Sequence, residues 1–166
     1  MSQLPQVNFR SGSYTLREYR PEEAEIACMV RGLISEESKN RFKTHFKTPG
    51  QWIDHYLHLA LDRNGELIGD VQLRHCESTM PDGVAHIGVD IAASERGNGA
   101  GTESLKLAWL WAQANNFHRL EGSTEITNTA MRRAFEKAGW SLEGTLKNLF
   151  YKNGRGHDYL SFAKTS

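Results

Sequence analysis

The sequence predicts an α+β domain, a mixed β-sheet of about seven strands with helices on both faces. Three observations predict it. Short stretches of alternating apolar and polar residues recur along the chain, as in Tyr14–Tyr19, Leu57–Leu61 and Val84–Ile91. Two stretches with helical spacing, after Gly101 and after Asn128, are interleaved with them. Asn64-Gly65 and Asn153-Gly154 each join two strand-like runs and read as tight hairpin turns. At 166 residues the chain fits one domain with a real hydrophobic core.

The first dozen residues read as a loose arm, giving boundaries of 1–13 for the arm and 14–166 for the domain. YTLREY (Tyr14–Tyr19) alternates as a strand. Pro21 suits a first helical turn, and Glu22, Glu23 and Glu25 favour its positive end. Ile26, Met29, Val30 and Leu33 are expected to face the core. The polar stretch Ser35–Gln51 reads as short helix and loop. A hairpin across Asn64-Gly65 and a turn at Met80–Gly83 follow, and then the strand VAHIGVDI (Val84–Ile91). In the next helix Leu105, Ala108, Trp109 and Ala112 form one stripe, which Leu107 and Trp111 widen. His118–Thr127 is strand-like, Asn128 caps a short helix, and Gly139 ends it in a left-handed conformation. The last strands run roughly Trp140–Tyr151 and His157–Lys164.

Composition excludes several classes of function. Lys plus Arg and Asp plus Glu number 20 each, so no global charge points to nucleic acid or a membrane surface. The two cysteines, Cys28 and Cys76, have no CxxC spacing and suit a reducing cytoplasm better than a disulfide scaffold. MSQLPQVNFRSGS has no apolar core of a signal peptide, and no apolar run approaches the ~18 residues of a membrane span. His45, His55 and His58 have no third partner at metal-site spacing and read as surface or packing residues, and His75-Cys76 would serve as a thiol nucleophile only in a covalent mechanism. Trp109 and Trp111 read as core. Lys39, Arg41, Lys43 and Lys47 read as a solvated face; if functional, they would favour an acidic acceptor.

The densest chemical signal is SERGNGAGTESLKL, which packs Gly97, Gly99 and Gly101 between a strand and a helix. Glycines let backbone N–H groups turn inward, and the helix start adds unpaired donors and partial positive charge, a combination suited to phosphate. Arg96 adds a full charge. A P-loop requires Gly-Lys-Ser/Thr, but Gly101-Thr102-Glu103 stands here. The dinucleotide fingerprint GxGxxG fails because the last glycine comes one place early.

Arg96-Gly97-Asn98-Gly99-Ala100-Gly101 does match Q/R-x-x-G-x-G/A. Thirty residues on comes NTAMRRAFEKAGW (Asn128–Trp140), followed by Leu142-Glu143-Gly144. In these two blocks, in the hairpin GELIGDVQL and in the final NGRGHDYLSFA, the chain from about Tyr14 to its end resembles the GNAT N-acetyltransferase superfamily, in particular its RimJ/RimL-like branch. The resemblance implies a splayed sheet and acetyl-coenzyme A as acetyl donor, with no metal. It implies that Arg96, Gly97, Asn98, Gly99, Ala100, Gly101 and Thr102 hold the pyrophosphate, and that Val89, Asp90 and Ile91 pair with the pantetheine arm. Asn128 would contact that arm across the splay as well as capping its helix, and Arg133 would meet the adenosine phosphate.

The implied reaction is direct attack by a primary amine on the thioester in a ternary complex. The amine must be neutral, which favours an α-amine (pKa ~8) over a lysine (~10.4). The oxyanion would meet the backbone N–H near Val89 or Asp90. Many relatives place a tyrosine seven residues after the asparagine as proton donor to the thiolate; here Phe135 stands in that place beside the cofactor and cannot donate. Tyr151, Ser141 or water would serve instead, or the thiolate leaves unassisted. The base is open among His86, whose ordinary pKa of ~6.5 suits the role, Glu77 and Asp90. The branch acetylates protein N-terminal amines, notably of ribosomal proteins, and small amines such as antibiotics and polyamines. The expected partners are therefore a protein N-terminus or a small amine acting on a monomer or homodimer, with no direct nucleic acid or membrane partner. A non-catalytic acyl-coenzyme A-binding module is the remaining reading.

Overall fold

The computed structural model describes residues 8–166. One sheet of eight strands runs through it in the order β1-β2-β3-β4-β5-β6-β8-β7. The strands are β1 (Asn8–Ser11), β2 (Tyr14–Arg17), β3 (Tyr56–Arg63), β4 (Glu66–Arg74), β5 (Val84–Ile91), β6 (Arg119–Glu125), β7 (Ser141–Lys152) and β8 (Arg155–Thr165). The helices are α1 (Ala24–Val30), α2 (Glu36–Lys43), α3 (Ala100–Ala114) and α4 (Thr129–Lys137). The α+β class therefore stands, with one strand more than expected. The extra strand comes from the supposed arm: Asn8–Ser11 pair antiparallel with β2, turning at Gly12. Residues 1–7 of the arm lie outside the described residues.

The turns form where their residues permit positive φ. Asn64 and Gly65 (54° and 91°) join β3 to β4, and Asn153 and Gly154 (51° and 76°) join β7 to β8. All pairs are antiparallel except β5–β6, which is parallel and extends only over Val84↔Arg119, Ala85↔Leu120 and His86↔Glu121. Beyond His86 the two strands part, and β6 continues along β8 through Glu125↔Tyr159. Phe135 of α4 wedges this fork. Its ring stacks on Phe162 at 4.6 Å, and a Cβ placed on Gly122 would lie 2.8 Å from the ring and 3.0 Å from Ile87.

The main core lies between the sheet and α3, where Leu105, Leu107, Ala108, Trp111 and Ala112 are wholly buried against Leu16, Leu57, Leu59, Leu73 and Leu120. A smaller core on the other face joins Tyr19, Ala27, Cys28, Phe42, Phe46 and Ala60. There the expected face of α1 is corrected. Ile26 and Met29 are exposed (49% and 78%), Val30 and Leu33 are half-buried, and the small Ala27 and Cys28 point inward. The one-turn 3-10 helix Pro21–Glu23 sets that rotation: Glu23 is held by Arg17 at 2.7 Å, which is itself held by Asp62 at 2.8 Å. Both cysteines are buried and free.

Gly122→Ala should lower stability by about 1–3 kcal/mol, because the fork has no room for a methyl group beside Phe135. Thermal denaturation should show a fall of roughly 2–4 °C per kcal/mol. An unchanged midpoint would show the wedge to be loose.

Candidate functional site

Where β5 and β6 part, a cleft of about 620 Å³ opens between the end of β5 and α4. Its floor is Val89, Asp90 and Ile91; its near wall runs from Glu95 through Gly97 and Gly99 to Thr102; its far wall carries Asn128, Arg133 and Lys137. Gly97 and Gly99 adopt φ of 81° and 85°, which a branched side chain resists, and a Cβ on either would meet nothing within 4 Å. Gly99 precedes α3, and Glu103 N–H donates to the Gly99 carbonyl at 3.0 Å. The amides of Ala100, Gly101 and Thr102 thus open the helix as donors without an intrahelical acceptor. The loop is braced from behind: Tyr14 donates to the Asn98 carbonyl at 3.3 Å, and Arg96 Nε donates to the Ile91 carbonyl at 3.2 Å. Glu95 is neutralised by Arg63 at 2.6 Å, so Arg96, Arg133 and Lys137 leave the cleft cationic. Its amides and cations fit a phosphorylated carrier.

A second cleft of about 550 Å³ lies against the other face of the sheet, between α2 and β3. Arg31, Arg41, His45, Asp54, Tyr56, His58 and Gln72 help to line it. The two clefts meet at one hydrogen bond: Gln72 Nε2, in the second, donates to Asp90 Oδ2, in the first, at 2.6 Å. Behind Gln72 lies a polar cluster. Asp70 is wholly buried and accepts from Tyr19 Oη at 2.6 Å, and both its oxygens lie within 3.2 Å of His58 Nδ1. Arg31 Nε stands 3.5 Å from Asp70 and 3.6 Å from Asp90. Burial first, and then the like charge of Asp70, raises the Asp90 pKa. Burial and neighbouring His58 lower that of His45 to about 4, so His45 is neutral. Burial raises that of Tyr19 well above its ordinary value.

The structure gathers Val89, Asp90, Ile91, Arg96, Gly97, Gly99, Ala100, Gly101, Thr102, Asn128 and Arg133 around the first cleft. Asn128 caps α4 by accepting from Met131 N–H at 3.1 Å. Asn98 contributes its carbonyl to the brace and is not among the residues lining the cleft. Phe135 is not on the wall: 2% exposed, it belongs to the core, where an apolar ring is stabilised by burial. His86 lines neither cleft. It is half-exposed, and its Nε2 lies 2.7 Å from Glu121. Glu77 is exposed in the turn after β4, Ser141 is exposed at the start of β7, and Tyr151 is 76% exposed and donates to the Gly154 carbonyl at 2.8 Å. The basic run is largely paired on its own surface: Lys39 with Glu36, Arg41 with Glu37, and Lys43 with Glu25. Sequence reasoning missed Lys137, although it stands one helical turn beyond Arg133. It also missed Asp70, whose signal was a carboxylate inside the apolar strand ELIGDVQL. No group of three or more His, Cys, Asp or Glu placed to hold a metal occurs among the described residues, and no described helix is long and apolar enough to cross a membrane.

Residues 14–141 match the model of the acetyltransferase (GNAT) domain. The sequence has no match among curated proteins. Among solved structures, RimJ of Mycobacterium smegmatis in complex with CoA-disulfide superimposes with a TM-score of 0.75 at 20% identity, over 98% of this chain and 88% of that one. The ribosomal-protein-S5-alanine acetyltransferase of Vibrio fischeri gives 0.73 at 17% identity, over 96% and 97%. A spermidine N-acetyltransferase SpeG chimera from Vibrio cholerae and hSSAT gives 0.75 at 19% identity, over 93% and 96%. At these identities the shared property is the fold.

The raised Asp90 pKa has a sign that can be measured. A carboxyl whose folded pKa lies above its unfolded value favours folding when protonated, and that contribution is lost as pH rises through the folded pKa. Asp90→Asn should therefore melt above the unsubstituted protein at pH 7, by less than about 1 kcal/mol because the group is partly solvated. The advantage should vanish as pH falls below the ordinary carboxylate range. Scanning fluorimetry across pH checks this; a variant that melts lower at pH 7 would reverse the sign.

Proposed function

The chain belongs to the GNAT acetyltransferase family, and we propose that it moves an acetyl group from acetyl-coenzyme A to a primary amine by direct attack, with a protein N-terminal α-amine as the acceptor. The observation that carries this reading is the first cleft: a braced glycine loop whose amides open a helix beside a forked strand pair. Arg96, the amides of Gly97–Thr102, Arg133 and Lys137 would hold the phosphates. The free edge of Val89–Ile91 and Asn128 would hold the pantetheine arm, whose amides can bond to the strand as a partial extra strand. The donor substrate supplies the activated thioester. The chain supplies orientation and removal of a proton, and its second cleft receives the amine on the far side of the Gln72–Asp90 bond. Asp90, with its raised pKa, stands between the clefts, where the thioester would meet the amine.

A small amine is the second reading. Asp54 and Tyr56 on the wall of a cleft of about 550 Å³ suit an ammonium headgroup, and the fold is shared with a spermidine N-acetyltransferase. Release of coenzyme A, followed with a thiol reagent over a panel of amines, separates the readings. Peptides with free N-termini should release it. Release with spermidine or an aminoglycoside alone would transfer the function to small amines, and tight acetyl-coenzyme A binding without release for any amine would leave a binding module. Gly99→Trp should weaken coenzyme A binding at least ~30-fold in calorimetry while leaving the circular dichroism unchanged; an unaltered dissociation constant would remove the cradle from the account.

A further inference from the structure

We propose that His58, oriented by Asp70, accepts the proton that the acceptor amine loses, so that the buried pair beneath the second cleft is part of the catalytic machinery. This rests on the acetyltransferase reading and goes beyond it. Three observations carry it. His58 Nδ1 faces both oxygens of a wholly buried carboxylate, at 3.2 and 3.1 Å, and the Nδ1–H tautomer that this favours leaves the Nε2 lone pair available. His58 is only 6% exposed, yet it lines the second cleft. Its register partner Gln72 holds Asp90, so β3, which carries the imidazole, lies two strands, roughly 10 Å, from the strand that floors the first cleft, and Gln72 links the two.

The charges around the ring are consistent with the role. Asp70 from β4 fixes the orientation of the ring and is shared with Arg31. His45, following α2, packs on the ring at 4.4 Å and is neutral, so it adds no competing cation. Phe42 of α2 and Tyr56 of β3 flank the ring, Tyr19 and Arg31 reach it through Asp70, and Asp54 stands at the cleft wall. A buried pair that served stability alone would gain little over apolar side chains of the same volume. In the step itself the amine nitrogen forms its bond to the acetyl carbon, its surplus proton passes to His58 Nε2, and the carbon–sulfur bond breaks with its electron pair on sulfur. The imidazolium then returns the proton to the thiolate or to solvent.

The test compares unsubstituted protein, His58→Gln and His58→Ala across pH with a peptide amine that the unsubstituted protein accepts. His58→Gln should lower kcat about 100-fold or more, remove the acidic limb of the kcat profile, and leave the KM for acetyl-coenzyme A within about threefold. Added imidazole should restore part of the kcat of His58→Ala. A kcat within about threefold of the unsubstituted value, or a retained acidic limb, would overturn the proposal. Nitrogen-15 spectra of the unsubstituted protein at pH 8.5 test it without turnover: His58 should carry its proton on Nδ1, and an Nε2–H tautomer would overturn it. Unsubstituted protein that binds acetyl-coenzyme A but acetylates no amine would overturn the parent reading, and this one with it, whereas a wrong tautomer in an active enzyme overturns this one alone.

Discussion

The parallel pairing of β5 with β6 stops at His86 and Glu121, and the site is built on that interruption. A strand that loses its neighbour leaves backbone donors and acceptors that must find other partners. Here the loss is enforced by packing. Gly122 lets Phe135 and Ile87 fill the fork, and the long antiparallel β8 takes over the far edge of β6. The fork is therefore filled, and α4 with its cap, Asn128, is held by the same ring that props it open. A sheet with continuous pairing would have no cleft at this point and nowhere for α3 to present its first turn.

Alternation along β5 then divides the labour. Ile87, Val89 and Ile91 turn to the apolar core under α3, while Gly88 and Asp90 turn to the opposite face, against Gln72 and Arg31. One strand thus floors a cationic cleft and borders the polar cluster of Asp70, Asp90, His58 and Arg31. Packing carboxylates into this region is costly without compensation. The compensation is visible as Tyr19, Gln72 and His58 on the two carboxylates, with Arg31 between them. The smaller core of Phe42, Phe46 and Tyr19 seals the cluster from below.

The fold was legible where local chemistry decides. Asn-Gly pairs marked both hairpins, Asn128 and Gly139 bracketed α4, and the alternating VAHIGVDI is β5 from end to end. The first cleft was legible for the same reason, because glycine loops and helix starts are contiguous in sequence. What could not be read depends on contacts between distant segments. The strand at Asn8–Ser11 exists because β2 offers an edge. The face of α1 is set by Glu23 meeting Arg17 rather than by apolar spacing. Phe135 read as a position beside the cofactor because its spacing from Asn128 was visible and its stacking on Phe162 was not. The pair His58 and Asp70 lies on adjacent strands, out of register by two residues, where no linear spacing announces it.

Amide hydrogen exchange with and without coenzyme A tests the central claim most directly. If the loop and the forked strand together hold the carrier, exchange at Val89–Ile91 and Gly97–Thr102 should slow on binding, while the amides of β7 and the β3–β4 turn stay as they were. Protection that appears elsewhere, or coenzyme A that binds without slowing either segment, would contradict the account.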